Sequence, residues 1–169
     1  MIPSPRAFRL YPATRVFACG LETGQLPKDY FDLIVSNVPF GDYALNLQFT
    51  TGRCGSTLTC GENRSGRIGG IAQQITYAFM ANAGEAVNIA AVAVSSSALA
   101  ARLDLHNPSG ALIGSNGFGN TLIGSLMLTA TGRYTILLRD AGLNKIGDYV
   151  INLQVTTGRC GGRFRADRL

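Results

Sequence analysis

Four cysteines and a single histidine bound the chemistry open to this chain of 169 residues. Cys54 and Cys60 flank the stretch CGSTLTCG and lie close enough to close a small loop, which would contribute about 2 kcal/mol by chain entropy. Two reduced thiols are the alternative. A zinc site needs four ligands, and the nearest further candidates, His106 and Cys160, bring no second CxxC, so no metal is expected. With His106 as the only imidazole, any Ser/His/Asp or Cys/His nucleophile would have to be built around it. It falls on the polar face of a strand beside a turn and reads as solvent-facing. The string Gly114-Ser-Asn-Gly-Phe-Gly119 looks like a phosphate loop, but no Lys-Ser/Thr or helix follows, so it reads as a hairpin loop. Asn63-Arg64-Ser65 matches a glycosylation sequon and carries little weight. These residues point to no cofactor and to no catalytic centre.

The elements that would carry such residues are strands. Glycine is abundant, at 21 residues; charged residues make up only 15% and tryptophan is absent, a composition of short strands and tight turns rather than long amphipathic helices. The net charge of +5 is not organised. Residues 1–55 hold five Lys/Arg against four Asp/Glu, residues 56–161 seven against five, and residues 162–169 three against one. A nucleic-acid binder needs its cations clustered on one face, and here they cluster only at Arg163, Arg165 and Arg168, read as a solvated basic tail. No window of about 18 apolar residues marks a membrane span. No apolar export segment follows the first residues either.

A repeat organises the chain. GDYALNLQFTTGRCG at 41–55 recurs as GDYVINLQVTTGRCG at 147–161, identical at 12 of 15 positions and offset by 106. In each copy apolar residues alternate with polar ones, Tyr43, Leu45, Leu47 and Phe49 in the first and Tyr149, Ile151, Leu153 and Val155 in the second, the mark of a half-buried strand. Each copy therefore reads as the last strand of one tandem unit. Further strands are expected near 74–81, 85–94, 99–106, 121–130 and 132–139, separated by turns at Ala83-Gly84, Asn107-Pro108-Ser109-Gly110 and Thr131-Gly132.

In this order the elements resemble the bacterial pre-peptidase C-terminal domain, a small β-sandwich often found in tandem in exported proteins. The resemblance covers about 70–156 and rests on several short motifs. Tyr77-x-Phe79 comes first, followed by Ala83-Gly84-Glu85 leading to Val87-x-Ile89. Leu103-x-Leu105 then precedes the Asn-Pro-x-Gly turn, and Thr131-Gly132-x-Tyr134 and Gly147-Asp148-Tyr149 complete the set. Family members commonly carry Asp before the Tyr-x-Phe strand. Here Gln73, Gln74 and Ile75 stand there, which argues against a cation site. The resemblance implies a non-catalytic accessory, spacer or binding module.

Residues 5–43 carry a different resemblance. A short strand at 15–18 and the apolar run Phe31 to Val35 lead into Ser36-Asn37-Val38-Pro39-Phe40, which is similar to the catalytic loop of adenine-specific DNA methyltransferases. That likeness implies that Asn37 and the Pro39 carbonyl accept from the amine of a flipped adenine and that Phe40 stacks on the base. Val38 departs from the usual proline. The glycine-rich turn and ribose-binding acid of the cofactor half have no residues to form them, so this segment reads as a remnant or fused fragment.

The expected architecture is thus an all-β, antiparallel, jelly-roll-like sandwich with an irregular N-terminal segment. Its divisions are 1–40 of uncertain fold, an orphan last strand at 41–55, a sandwich at 56–160 and a basic tail at 161–169. The expected function is that of a non-catalytic module from a tandem array in an exported bacterial protein, extracellular or at the cell surface; a DNA adenine methyltransferase fragment is the alternative. Expected partners are neighbouring repeats or the exported enzyme the module serves. The orphan strand could also add to an edge of its own domain or replace the last strand of a second copy, giving a strand-exchanged oligomer.

Overall fold

Strict alternation in the second repeat copy becomes strand β12, Gly147–Val155, in which every second side chain is buried. The computed structural model describes residues 15–17, 31–35, 44–94, 98–117, 121–157 and 160. The remaining strands are β1 (Arg15–Phe17), β2 (Phe31–Val35), β3 (Ala44–Phe49), β4 (Ser56–Thr57), β5 (Asn63–Ile68), β6 (Gln74–Ala81), β7 (Ala86–Ala93), β8 (Ala101–His106), β9 (Leu112–Gly117), β10 (Thr121–Met127) and β11 (Gly132–Asp140). They form a sheet in the order β10-β7-β12-β5, a second in the order β4-β6-β11-β8-β9, and a small third sheet, β1-β3-β2. Pairing in the two large sheets is antiparallel except where β4 joins β6. The chain is an all-β sandwich, as its periodicity required.

The inner faces of the two large sheets share one apolar core. Tyr77 and Phe79 of β6 meet Val87, Ile89 and Ala91 of β7, Leu103 and Leu105 of β8, Tyr134, Ile136 and Leu138 of β11, and Tyr149, Ile151 and Leu153 of β12. Two buried tyrosines tie the layers together: the Tyr77 and Tyr149 hydroxyls are 2.8 Å apart. Gly66 of β5 is required there, since a Cβ on it would overlap the Tyr149 ring and hydroxyl. Tyr134, also fully buried, stacks on Phe79 with ring centroids 5.6 Å apart and donates its hydroxyl to the Ala130 carbonyl at 2.6 Å. This backward reach of four residues is the tyrosine corner of sandwich proteins. It gives the Thr-Gly-x-Tyr motif its physical reason.

Three elements escape the sequence pattern. β5, NRSGRI, is a polar edge strand with no apolar alternation to betray it. β9 takes up Gly114 to Gly117, which the sequence presents as a hairpin loop; it pairs with β8 through a register shift at Leu105/His106. β4 is two residues long. The edge strand β10 departs from its pairing with β7 between Ile123 and Leu126, where Ser125 takes a φ of 49°.

The orphan strand finds partners within its own chain. β3 is the middle strand of the small sheet, parallel to β1 and antiparallel to β2, and adds to neither edge of the sandwich. Its Asn46 and Thr50 are buried. Gln48 donates to the Gln74 carbonyl at 3.2 Å and accepts from the Thr76 hydroxyl, and Arg133 donates to the Gly55 carbonyl, so the polar face of β3 and the turn after it lie against β6 and β11. A Cβ at Gly52 would sit 3.3 Å from the Ala78 Cβ, with φ at +74°. β12 keeps its own place between β7 and β5, the place a strand-exchanged neighbour would have to take.

Candidate functional site

The two ends of the sandwich are built differently. At one end, loop 140–146 is held by Asp140, which is 2% exposed, and loop 69–73 lies against it. Its Oδ1 accepts from the Ala100 amide at 3.0 Å, and its Oδ2 from those of Asn144 and Lys145 at 3.1 and 3.2 Å. Buried charge of this kind is tolerated only when hydrogen-bonded throughout. Ala72 and Leu143 both hold positive φ, 60° and 59°, and the Ala72 amide donates to the Leu143 carbonyl at 3.0 Å. Strained, mutually fixed loops of this type are a common frame for binding surfaces, and Ile71 and Ile146 stand half exposed upon them. Gln73 spends its carbonyl on the amides of Gly69 and Gly70, so the position where the resembled family carries Asp serves the loop itself. Asp140→Ala should cost roughly 2–3 kcal/mol by leaving three amides without their charged acceptor, and Asp140→Asn less. A chemical-denaturation midpoint unmoved by the alanine substitution would show that the clamp is dispensable.

At the other end the chain enters and leaves. Cys60 is bonded to Cys160, not to Cys54; the Cα atoms of the bonded pair are 5.3 Å apart and their sequence separation is 100. The reason is register. Gly61 donates to the Leu153 carbonyl at 2.8 Å, which lays residue 60 beside the end of β12, whereas residues 54–57 run off along β6. Cys54 is itself disulfide-bonded, and there is no free cysteine among the described residues. The repeat held a signal for this: its offset of 106 maps Cys54 onto Cys160, which sets the two in equivalent places rather than making Cys54 the partner of Cys60.

Beside the bridge opens a cleft of about 270 Å³ lined by Thr57, Leu58, Thr59, Cys60, Phe79, Met80, Leu153 and Val155. It is apolar but for two threonines. A smaller hollow of about 80 Å³ continues it past Ala78 to Arg133. The arrangement suits an apolar side chain with an acidic neighbour and offers no proton-transfer pair. Glu62, at the rim, accepts from the Thr59 hydroxyl at 2.6 Å and the Thr59 amide at 3.0 Å, and it pairs with Arg64. These bonds, the Thr59 hydroxyl foremost, hold its carboxyl down to about 2 from an ordinary value of 4.5. A depressed carboxyl stabilises the fold above its unfolded value and loses that contribution as pH falls through the folded one. The turn 59–62 should therefore hold until pH approaches about 2. Following the Thr59 amide shift against pH tests this, and a midpoint near 4.5 would contradict it.

The other sequence candidates are dispersed. His106 is not solvent-facing: it is 8% exposed, and its Nδ1 donates to the Gly110 carbonyl at 3.1 Å within the turn that Asn107 organises. Asp104, two residues earlier, pairs with Arg102 and Arg139 and accepts from the Ser115 hydroxyl at 2.6 Å, an ion network rather than an acid and base awaiting a substrate. Asn37, Pro39 and Phe40 lie outside the described residues. The strand that leads to them, β2, pairs antiparallel with β3 and, among the described residues, with no parallel neighbour, which gives the methyltransferase resemblance no support. Asn63 sits exposed at the start of β5 and accepts from the Asn152 amide at 2.7 Å.

No protein-family profile matches the chain, and no curated protein matches it in sequence. Among solved structures, it is similar to the pre-peptidase C-terminal domain of collagenase from Bacillus anthracis, at 12% identity and a TM-score of 0.45, covering 59% of this chain and 94% of that one. It is also similar to PliG of Aeromonas hydrophila, a periplasmic inhibitor of g-type lysozyme, at 17% identity and a TM-score of 0.43, covering 58% and 94%. The corresponding inhibitor of Salmonella Typhimurium aligns at 21% identity with a TM-score of 0.43, covering 60% of this chain and 96% of its own.

Proposed function

We propose that residues 56–160 are one non-catalytic β-sandwich module of a tandem array in an exported protein, serving as a spacer or binding domain for the protein that carries it. One observation carries the reading: Cys160, the closing cysteine of the second repeat copy, is bonded to Cys60 and seals a single repeat upon itself. A bridge joining residues 60 and 160 supports a boundary between units just before Cys60. Structural disulfides of this kind belong to oxidising compartments. The end of the sandwich away from the bridge, with Ile71 and Ile146 on strained loops, is the face such a module would offer to a partner. Fractionation of cells making the native protein tests the reading. Material outside the cytoplasm, with Cys60 and Cys160 recovered in one cross-linked peptide pair by non-reducing digestion, is the expected result. Cytoplasmic material with both thiols alkylated would sink it.

A further inference from the structure

The Cys60–Cys160 bridge encloses all but one of the buried residues of the main core cluster: Ile68 to Val155 lie between the two cysteines, and Leu58 alone lies outside. The strands from β5 to β12 lie inside it as well. Because the bonded Cα atoms are 5.3 Å apart, a chain pulled from its two ends runs from residue 59 across the bridge to residue 161 without entering the sandwich. We propose that the unit is a force-shielded pendant: tension along the polypeptide passes through the covalent bridge, and the sandwich hangs from the line of force unloaded.

Ahead of the bridge the loaded path still touches the sandwich, through Gln48 on Gln74 and Thr76 and through Gly55, which accepts from Arg133. β4 pairs with β6 over Ser56 and Thr57 alone, and the Leu58 amide donates to the Ala78 carbonyl at 2.9 Å. Under load these peel away and lengthen the chain by roughly 1–2 nm, at about 3.3–3.6 Å per extended residue. The peeled segment is one wall of the apolar cleft, so Phe79 and Leu153 lose their cover while the core behind them stays folded. A carrier built of such modules would keep its binding domains intact under shear. That physiological bearing rests on the array reading. The mechanical claim itself needs only this chain.

Single-molecule extension of the full chain, tethered at its two ends, tests it. The oxidised chain should reach full extension with no step near 33 nm, because the residues inside the bridge contribute no length. Dithiothreitol, which cleaves a disulfide to two thiols while closing to its own cyclic disulfide, opens this bridge and the bond at Cys54 together, so the total contour length should rise by at least roughly 33 nm, at about 3.3–3.6 Å for each released residue. Cys60→Ser/Cys160→Ser without reductant keeps the bond at Cys54 and should exceed the oxidised parent by roughly 33–35 nm, at about 3.3–3.6 Å per released residue, whether its sandwich opens in a step or is already open. A step of that size in the oxidised chain, or a double variant no longer than the oxidised parent, overturns the proposal. Failure of the array reading would show instead in the cellular location and thiol state of the protein, which the extension curve does not report.

Discussion

Cys60→Ser/Cys160→Ser should lower the stability of the sandwich by about 4–5 kcal/mol, the chain-entropy value for a loop of about a hundred residues. The bridge spans a separation of 100, so the unfolded chain without it regains nearly all of the freedom the bond withholds. The loss is large against the roughly 5–15 kcal/mol that holds a domain together. It corresponds to a melting temperature lower by about 20 °C or more for a unit of this size. The folded state itself should change little: β12 is held on both sides by β7 and β5, and Gly61 still donates to Leu153. Urea titrations of the oxidised protein and the double variant measure the difference directly. A shift under about 1 kcal/mol, roughly the scatter of such measurements, would mean that the unfolded chain is already compact around the two cysteines. Cys54→Ser should leave the Cys60–Cys160 bond in place, since it is no partner to it.

Tyr149→Ala should cost roughly 3–5 kcal/mol, as expected for removing a large aromatic side chain from a close-packed core. Tyr149 is 1% exposed between the sheets, and Gly66 has been left bare to admit its ring. Tyr149→Phe separates the hydroxyl from the ring: it should cost about 1–3 kcal/mol by leaving the Tyr77 hydroxyl without its partner. Tyr77→Phe/Tyr149→Phe together should cost less than the sum of the two single changes, because the second removes a group the first has already orphaned. The pair also sets an alkaline limit. Burial, and then the bond to Tyr77, push the Tyr149 phenol above its ordinary value of 10.0. Its folded form stays protonated where the unfolded phenol ionises, so its contribution is complete below that value and declines as pH rises beyond it. A Tyr149→Phe variant should show a shallower loss of stability above pH 10 than the parent; equal slopes in the two proteins would remove Tyr149 from the account.

Legibility in the sequence followed burial. Where one face of a strand meets the core, as in β6, β11 and β12, alternation located the element to within a residue or two. β5 and β9 sit at sheet edges and place mostly polar or glycine residues against solvent, so nothing in their composition distinguishes them from loops. The position of His106 was misjudged for a related reason. The outer face of its sheet is not left to water: Thr76, Asp104, Thr135 and Leu137 on that face are buried as well, and a polar period says nothing about a third layer. Proximity in sequence points to Cys54 as the partner of Cys60, whereas the fold brings Cys160 beside it across a separation of 100. The apolar cleft was not legible, since its lining is drawn from three stretches, 57–60, 79–80 and 153–155, that only the fold brings together.

The irregularity in β10 bears on how such chains avoid sticking to one another. Neighbouring units with nearly identical strands, tethered at high local concentration, are the circumstance in which one fold captures a strand of the next. The departure from pairing between Ile123 and Leu126, with Ser125 in a left-handed turn, interrupts the row of backbone donors and acceptors along that edge. A bulge of this kind denies an incoming strand a continuous template. At the opposite edge of the same sheet Arg67 and Asp148 form an exposed ion pair that a captured strand would have to bury or displace. Both edges of this sheet are thereby guarded against an incoming strand that shares the sequence of β12.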